Sequence, residues 1–249
     1  ADEIAAQLEQ KREDVCLVAL LDTLEPSNAQ GEYYLTDTVG AAIAAGKRAG
    51  AYKTENADVV LGANTRKDLL MLNEVARQKI LDKHMENGVN FVCTDGILIG
   101  RDVEIGAETT ILPGTIIKGK TKIGMKSTIG PNCLIENCSI GDLVTLNYVQ
   151  AYESLIEDAV KIGPFVHIRP NSHIKNGVKI GDFVEVKNST IGEQTAIAHL
   201  TYVGDSDVGK KVNFGCGTVT VNYDGMVKNR CEIGDNCFIG CNTNLIAPV

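Results

Sequence analysis

The chain has 249 residues, 44% of them hydrophobic and 22% charged, a globular composition long enough for one large domain or two modest ones. A formal net charge of −8 supplies no overall positive field for nucleic acid or an anionic membrane, so a phosphorylated substrate would need a local cluster of Lys and Arg. Only 5% of residues are aromatic, none is Trp, and Gly numbers 25, which suits a repeating architecture with small corners better than a mixed core.

The front of the chain predicts a helix over residues 1–13, with Ile4 and Leu8 on one face, and an apolar segment from Cys16 to Leu21 behind it. That segment is too short and too heavily flanked by charge for a signal peptide or a membrane span. Next come GEYYLTDTVG (31–40), an Ala-rich helical stretch to Gly46, and the apolar pair Val59 and Val60. Sixty residues of mixed helix and strand, with no Gly-rich phosphate loop before them, read as the tail of a larger domain. The sequence starts at Ala1 rather than Met and stops at Val249 in mid-pattern, so both ends read as cut. Thr65 and Asp68 then have capping-box spacing, and Leu69, Leu72, Ala76, Ile80 and His84 recur at helical intervals up to Asn87-Gly88, a stop signal. This stretch reads as a helical linker.

From residue 99 a branched aliphatic residue recurs every six positions: Ile99, Ile105, Ile111, Ile117, Ile123, Ile129 and Ile135. After a slip between Asn137 and Tyr152 the series resumes at Ile156 and runs through Ile162, Ile168, Ile174, Ile180 and Val186. A slip of five leads to Ile191, Ile197 and Val203; another leads to Val208, Phe214 and Thr220, and after an interruption come Ile233, Ile239 and Leu245. Hexapeptide repeats are the signature of a parallel β-helix, in which each unit supplies one short strand and one corner. Three units make a coil of about 18 residues, and coils stack at roughly 4.8 Å. Twelve Ile-Gly or Val-Gly dipeptides follow residue 98, and the Gly is expected to adopt corner angles closed to other residues. A β-sandwich would instead alternate with period two.

Stacking arithmetic places Arg169 beside Lys187 on adjacent coils and puts His167, Glu185 and Tyr202 in one column. Two cations about 5 Å apart repel by about 0.8 kcal/mol even in water, so they make better sense gripping a shared anion such as a phosphate. Snorkelling outward on a solvated face is the alternative. The frame breaks between Thr220 and Ile233, so a loop with Asn222, Tyr223, Asp224, Gly225 and Lys228 must leave the coil. His199 is a candidate general base, since a neutral imidazole accepts a proton near pH 7, the alternative being a structural or simply exposed histidine. His167 and His173 fall on successive sides of the triangle, unlike helix-borne metal ligands. Eight cysteines show no C-x-x-C pair and read as reduced thiols of a cytoplasmic protein.

Several long ordered segments carry a resemblance: NAQGEYYLTD, LGANTR, the hexad array, GPFVHIRPN, GDFVEVKNSTIG, AHLTYVGD, VNFGCGTVTVNYDG and FIGCNTNLIAPV. Together they resemble the middle and C-terminal part of the bacterial bifunctional N-acetylglucosamine-1-phosphate uridylyltransferase/glucosamine-1-phosphate N-acetyltransferase family. The resemblance implies a mainly β chain: residues 1–64 the end of an α/β nucleotidyltransferase domain, 65–88 a linker helix, and 89–249 a left-handed parallel β-helix. It implies acetyl transfer from acetyl-CoA to glucosamine 1-phosphate, and in the intact protein uridylyl transfer from UTP with Mg²⁺, for which Asn64 matches a ligand. On this likeness His199 is the base and Glu185 an orienting acid; Arg169, Lys187, Tyr202, Asn213 and Lys228 hold the sugar phosphate. Asn222, Tyr223, Cys216 and Cys241 belong to acetyl-CoA binding, the two cysteines standing where the family often has Ala and Ser. The likeness further implies a homotrimer with its site between subunits. Another hexapeptide acyltransferase explains the hexads but not VNYDG or the front third, and a non-catalytic β-helical oligomerisation scaffold is a further alternative.

Overall fold

A computed structural model of the chain describes residues 20–26, 29–51 and 53–249. The expected helix with Ile4 and Leu8, and Cys16 to Ala19 of the apolar segment, lie outside the described residues. The chain divides into two compact units, Ala1–Leu61 and Gly62–Val249.

In the first unit the Ala-rich stretch forms α1 (Asp37–Ala44). It starts inside the GEYYLTDTVG segment rather than after it. Val59 and Val60 end a short 3₁₀ turn, Ala57–Val60, whose first N–H groups are partly met by the Asn56 side chain. No strand occurs among the described residues of this unit, so the mixture of helix and strand expected there is helix and turn where it is described.

The second unit opens with α2 (Arg66–Glu86), and its N-terminus carries the expected capping box: Asp68 N–H donates to Thr65 Oγ1 at 3.1 Å while Asp68 Oδ2 accepts from Thr65 N–H at 2.9 Å. The buried face differs from the expected stripe. Leu69 and Ala76 are exposed, and the inward side is Leu72, Val75, Ile80, Leu81 and His84. Leu81 and His84 are both buried, and Arg77 donates to the carbonyls of Thr94 and Ile97 at 3.1 and 3.4 Å, so the helix is fastened to the first coil. Burial holds the His84 imidazole below its ordinary pKa, and Lys83 beside it adds to the effect.

Beyond α2 the chain winds as a parallel β-helix with three faces. The first face contains Asn90–Phe91, Thr110–Ile111 and their successors up to Phe238–Ile239; the second runs from Leu98–Ile99 to Asn244–Ile246; the third runs from Glu104–Ile105 to Cys231–Ile233. Two faces have nine strands and the third eight, and every pairing between named strands is parallel. Main-chain bonds tie each coil to the next, as in Gly100 N–H to Ile117 O and Arg169 N–H to Val186 O, each 2.8 Å. The hexad aliphatics point inward: Ile111, Ile117, Ile129, Ile135, Ile168, Ile174, Ile191 and Ile197 are fully buried in one continuous column. The frame slip is resolved as short units centred on Ile140, Leu146, Ala151 and Ile156, which stay in register through the pairs Ile135–Ala151 and Ile140–Ile156.

The corner glycines have a different role from the one expected. Most glycines of the Ile-Gly pairs keep a negative φ, while eighteen non-glycine residues among those described, Tyr148, Phe165, Asn171, Asn188 and Asp205 included, take φ near 42° to 62°. What demands Gly is the approach of the neighbouring coil: a Cβ on Gly106 would stand 2.7 Å from the carbonyl carbon of Gly124. A second layer of buried Ser and Thr hydroxyls closes the corners. Thr195 Oγ1 donates to Gly209 O at 2.9 Å and accepts from Val212 N–H at 3.0 Å, and Thr109 links Gly124 and Ser127 in the same way. These bonds satisfy main-chain groups that the strand ladder leaves free.

Gly106→Ala is expected to destabilise the chain by about 1–3 kcal/mol through backbone collision. Gly234→Ala, where the nearest atom to a new Cβ is Cys237 Sγ at 3.9 Å, is expected to be neutral or slightly stabilising. Urea midpoints at constant m-value check the difference; equal midpoints would remove coil contact as the reason for Gly106.

Candidate active site

The second face carries the predicted column. His167 pairs with Glu185 and Glu185 with Tyr202 in the parallel register, so Arg169 and Lys187, each two residues further on, occupy adjacent coils. Each cation has its own carboxylate. Arg169 Nη1 donates to Glu185 Oε1 at 2.8 Å, and Lys187 Nζ lies 3.6 Å from Asp205 Oδ2. The Tyr202 side chain lies across Gly204, where any Cβ would collide with its ring.

The frame break is a real excursion. Coils that repeat at 17 residues lengthen to 25 between Val208 and Ile233, and residues 223–228 stand exposed. A single antiparallel bridge, Tyr223 with Lys228, and an Asp224 carboxylate that accepts from Met226 N–H and Val227 N–H, each 2.8 Å, give the loop its shape. The loop brings Lys228 against Lys187, and this neighbouring ammonium holds the Lys228 pKa below its ordinary value. Three cations, Arg169, Lys187 and Lys228, thus converge at one place. Like charges placed so are stabilised by an anion between them.

Asp205 is the residue that sequence reasoning passed over. It is 5% exposed and accepts from Asn188 Nδ2 at 2.5 Å and from Asn222 Nδ2. Burial works to raise its pKa, but the two amide donors and the charges of Lys187 and Lys228 outweigh it and hold the group below the usual carboxylate range. Its only sequence signal was position: it ends AHLTYVGD, one coil beyond Lys187. Asn222, expected at acetyl-CoA, has its side chain turned inward, with a further contact to Tyr202 Oη at 3.4 Å.

The remaining candidates lie elsewhere. His199 ends the strand Ala196–His199 on the first face, paired with Asp182, and lines an open cleft of about 380 Å³ with Lys161, Lys179 and Ala198. Asn213 is exposed on the same face, beside Ala196. Glu185 and Tyr202 instead line a cleft of about 650 Å³ whose other wall is Tyr148, Phe165 and Phe183. His199 therefore lines a different cleft from Glu185 and Tyr202. Cys216 and Cys241 sit at the corresponding corner of adjacent coils, since Phe214 pairs with Ile239 and Asn242 N–H donates to Cys216 O at 2.7 Å. Tyr223 is exposed, its hydroxyl donating to Gly225 O. Asn64 precedes α2, and its N–H donates to Asp68 Oδ2 at 3.2 Å. His167 and His173 do fall on successive faces, and His173 Nε2 lies 2.6 Å from Glu157 Oε1.

The family profile "Bacterial transferase hexapeptide (six repeats)" matches residues 153–188. Over 233 residues, 94% of this chain, the sequence is 51% identical to the bifunctional protein GlmU of Acetivibrio thermocellus, covering 50% of that protein. Against GlmU of Thermoanaerobacter pseudethanolicus the identity is 52% over 223 residues, 90% of this chain and 49% of the relative. The chain belongs to the GlmU family. It spans about half the length of the GlmU proteins it matches. Among solved structures, the UDP-N-acetylglucosamine acyltransferase from Campylobacter jejuni aligns at 14% identity and a TM-score of 0.34, covering 51% of this chain and 65% of that one. That likeness is too slight to add to the fold. The GlmU match covers both the column and the loop, so the cation cluster lies within the part of the family that this chain represents.

Because Lys187 depresses the Lys228 pKa, Lys228 loses its charge first as pH rises, and an anion held by the cluster is expected to loosen on the alkaline side. Calorimetric titration with inorganic phosphate from neutral to alkaline pH measures this. Lys228→Arg is expected to move the loss to higher pH, since guanidinium stays charged; an unmoved profile would place the anion elsewhere.

Proposed function

We propose that this chain carries the acetyl-transfer half of a GlmU protein, moving the acetyl group of acetyl-CoA onto the amine of glucosamine 1-phosphate. The observation that carries the reading is the convergence of Arg169, Lys187 and Lys228 beside Glu185 and Tyr202. A sugar phosphate has the charge that such a cluster lacks, and Tyr202 and Glu185 can orient its hydroxyls and amine.

Only an unprotonated amine has the lone pair to attack the thioester carbonyl. His199 is the base that takes the amine proton as the C–N bond forms, and the thiolate of CoA leaves as the tetrahedral adduct collapses. Main-chain N–H groups near Asn222 and Tyr223 are candidate donors to the developing oxyanion. Holding amine and thioester together supplies much of the acceleration. Cys216 and Cys241, on adjacent coils, are assigned to the acetyl-CoA side, and Asn213 to the sugar phosphate.

His199 and Asn213 lie on the first face and the cations on the second. A site that needs both is completed when the first face of one copy meets the second face of another. Such a contact is heterologous and makes a ring where its rotation closes; in this reading three copies close it, as a homotrimer of left-handed coils. The domain assignment of residues 1–64, 65–88 and 89–249, and a cytoplasmic location, belong to this same reading. Asn64 does not by itself fit a Mg²⁺ site: it offers one amide oxygen, and the nearby Asp68 is engaged in the α2 cap.

The test is CoA release from acetyl-CoA by the full-length protein, with glucosamine 1-phosphate against serine as acceptor. Glucosamine-dependent release is expected, and His199→Ala is expected to lower kcat by roughly 10²- to 10⁴-fold. Release with serine alone would replace the proposed acceptor, and an unchanged rate in His199→Ala would remove the imidazole from proton transfer.

A further inference from the structure

Asp205 sits behind the cations rather than in front of them. Its N–H donates to Lys187 O at 2.9 Å and its carbonyl accepts from Cys231 N–H at 3.1 Å, so its main chain is fastened to the coils on both sides. Its carboxylate faces Asn188, Asn222 and Lys187. Asn222 opens the excursion that carries Lys228. The far end of that excursion is held by Arg230, which spans Asp207 with two bonds of 2.9 and 2.8 Å and also donates to Asn188 O at 3.1 Å. One buried carboxylate therefore links a cation on the coil to the base of the loop bearing the next cation.

We propose, resting on the reading above, that Asp205 is a positioning residue: it sets Lys187 and the Lys228 loop at the spacing a phosphate requires, without touching the substrate. Two roles for this carboxylate predict opposite signs. As a mere counter-charge it would weaken the positive cluster, and its removal would tighten anion binding. As a positioner it gathers three donors on two oxygens; the amide of Asn has one acceptor oxygen and turns an N–H₂ group toward the donors, so the cluster loosens.

The experiment compares wild type, Asp205→Asn and Asn188→Ser in the full-length protein, reading KM for glucosamine 1-phosphate, kcat, and calorimetric binding of inorganic phosphate. Asp205→Asn is expected to raise KM and the phosphate Kd by roughly tenfold, with kcat changed far less; Asn188→Ser, which removes one donor, shifts both the same way by less. A KM and Kd that are unchanged or lower in Asp205→Asn overturn the inference. Should Asp205→Asn not fold, Asn188→Ser decides, and an unchanged phosphate Kd there counts against it. Wild type without glucosamine-dependent turnover defeats the acetyl-transfer reading, and phosphate binding then still judges Asp205.

Discussion

Main-chain hydrogen bonds between successive coils impose one register on the β-helix, and every other feature depends on it. Because Ile168 pairs with Val186 and Val186 with Val203, residues far apart in sequence have no freedom to choose their neighbours. The inward aliphatics lock the register, since a slip of one position would turn Ile168 or Ile174 to solvent and a charged residue into the core. The same spacing leaves little room at the corners. Gly106 and the glycines like it answer to the approach of another backbone, while Asn and even Phe take the left-handed φ.

A rigid column of this kind makes an electrostatic site from side chains that the sequence holds far apart. Stacking places Arg169 and Lys187 on adjacent coils, where repulsion is offset by Glu185 and Asp205, one carboxylate to each cation. The eight-residue lengthening of one coil adds the third cation without disturbing the stack, because Asn222 and Arg230 tie the loop's two ends to Asp205 and Asp207. The ladder supplies position and the loop supplies the group that the ladder cannot reach. His199 lies on another face for the same reason: with three faces per coil, a strand that ends at residue 199 and one that begins at residue 202 look in different directions.

Much of this was legible in the sequence. Six-residue spacing named the fold and, by addition, the partners His167, Glu185 and Tyr202; the break after Thr220 marked the loop; Thr65 and Asp68 marked the start of α2. Other features were not. Leu69 and Ala76 follow helical spacing yet lie exposed, because one turn of spacing does not say which side of a helix meets the coil. Asp205 looked like any acid after a glycine, since nothing local distinguishes a buried carboxylate from a solvated one.

The periodicity of the aliphatics, the length of the repeat and the chemical types available at each coil were set by the sequence alone, because a β-helix converts linear spacing directly into neighbourhood. Which of those neighbours act together was decided only by the tertiary structure. Charge pairing and burial depend on where a side chain turns at a corner and on what the lengthened loop folds back against. That is how Lys228 comes to lie beside Lys187, Asn222 turns inward to Asp205, and His199 faces away from both.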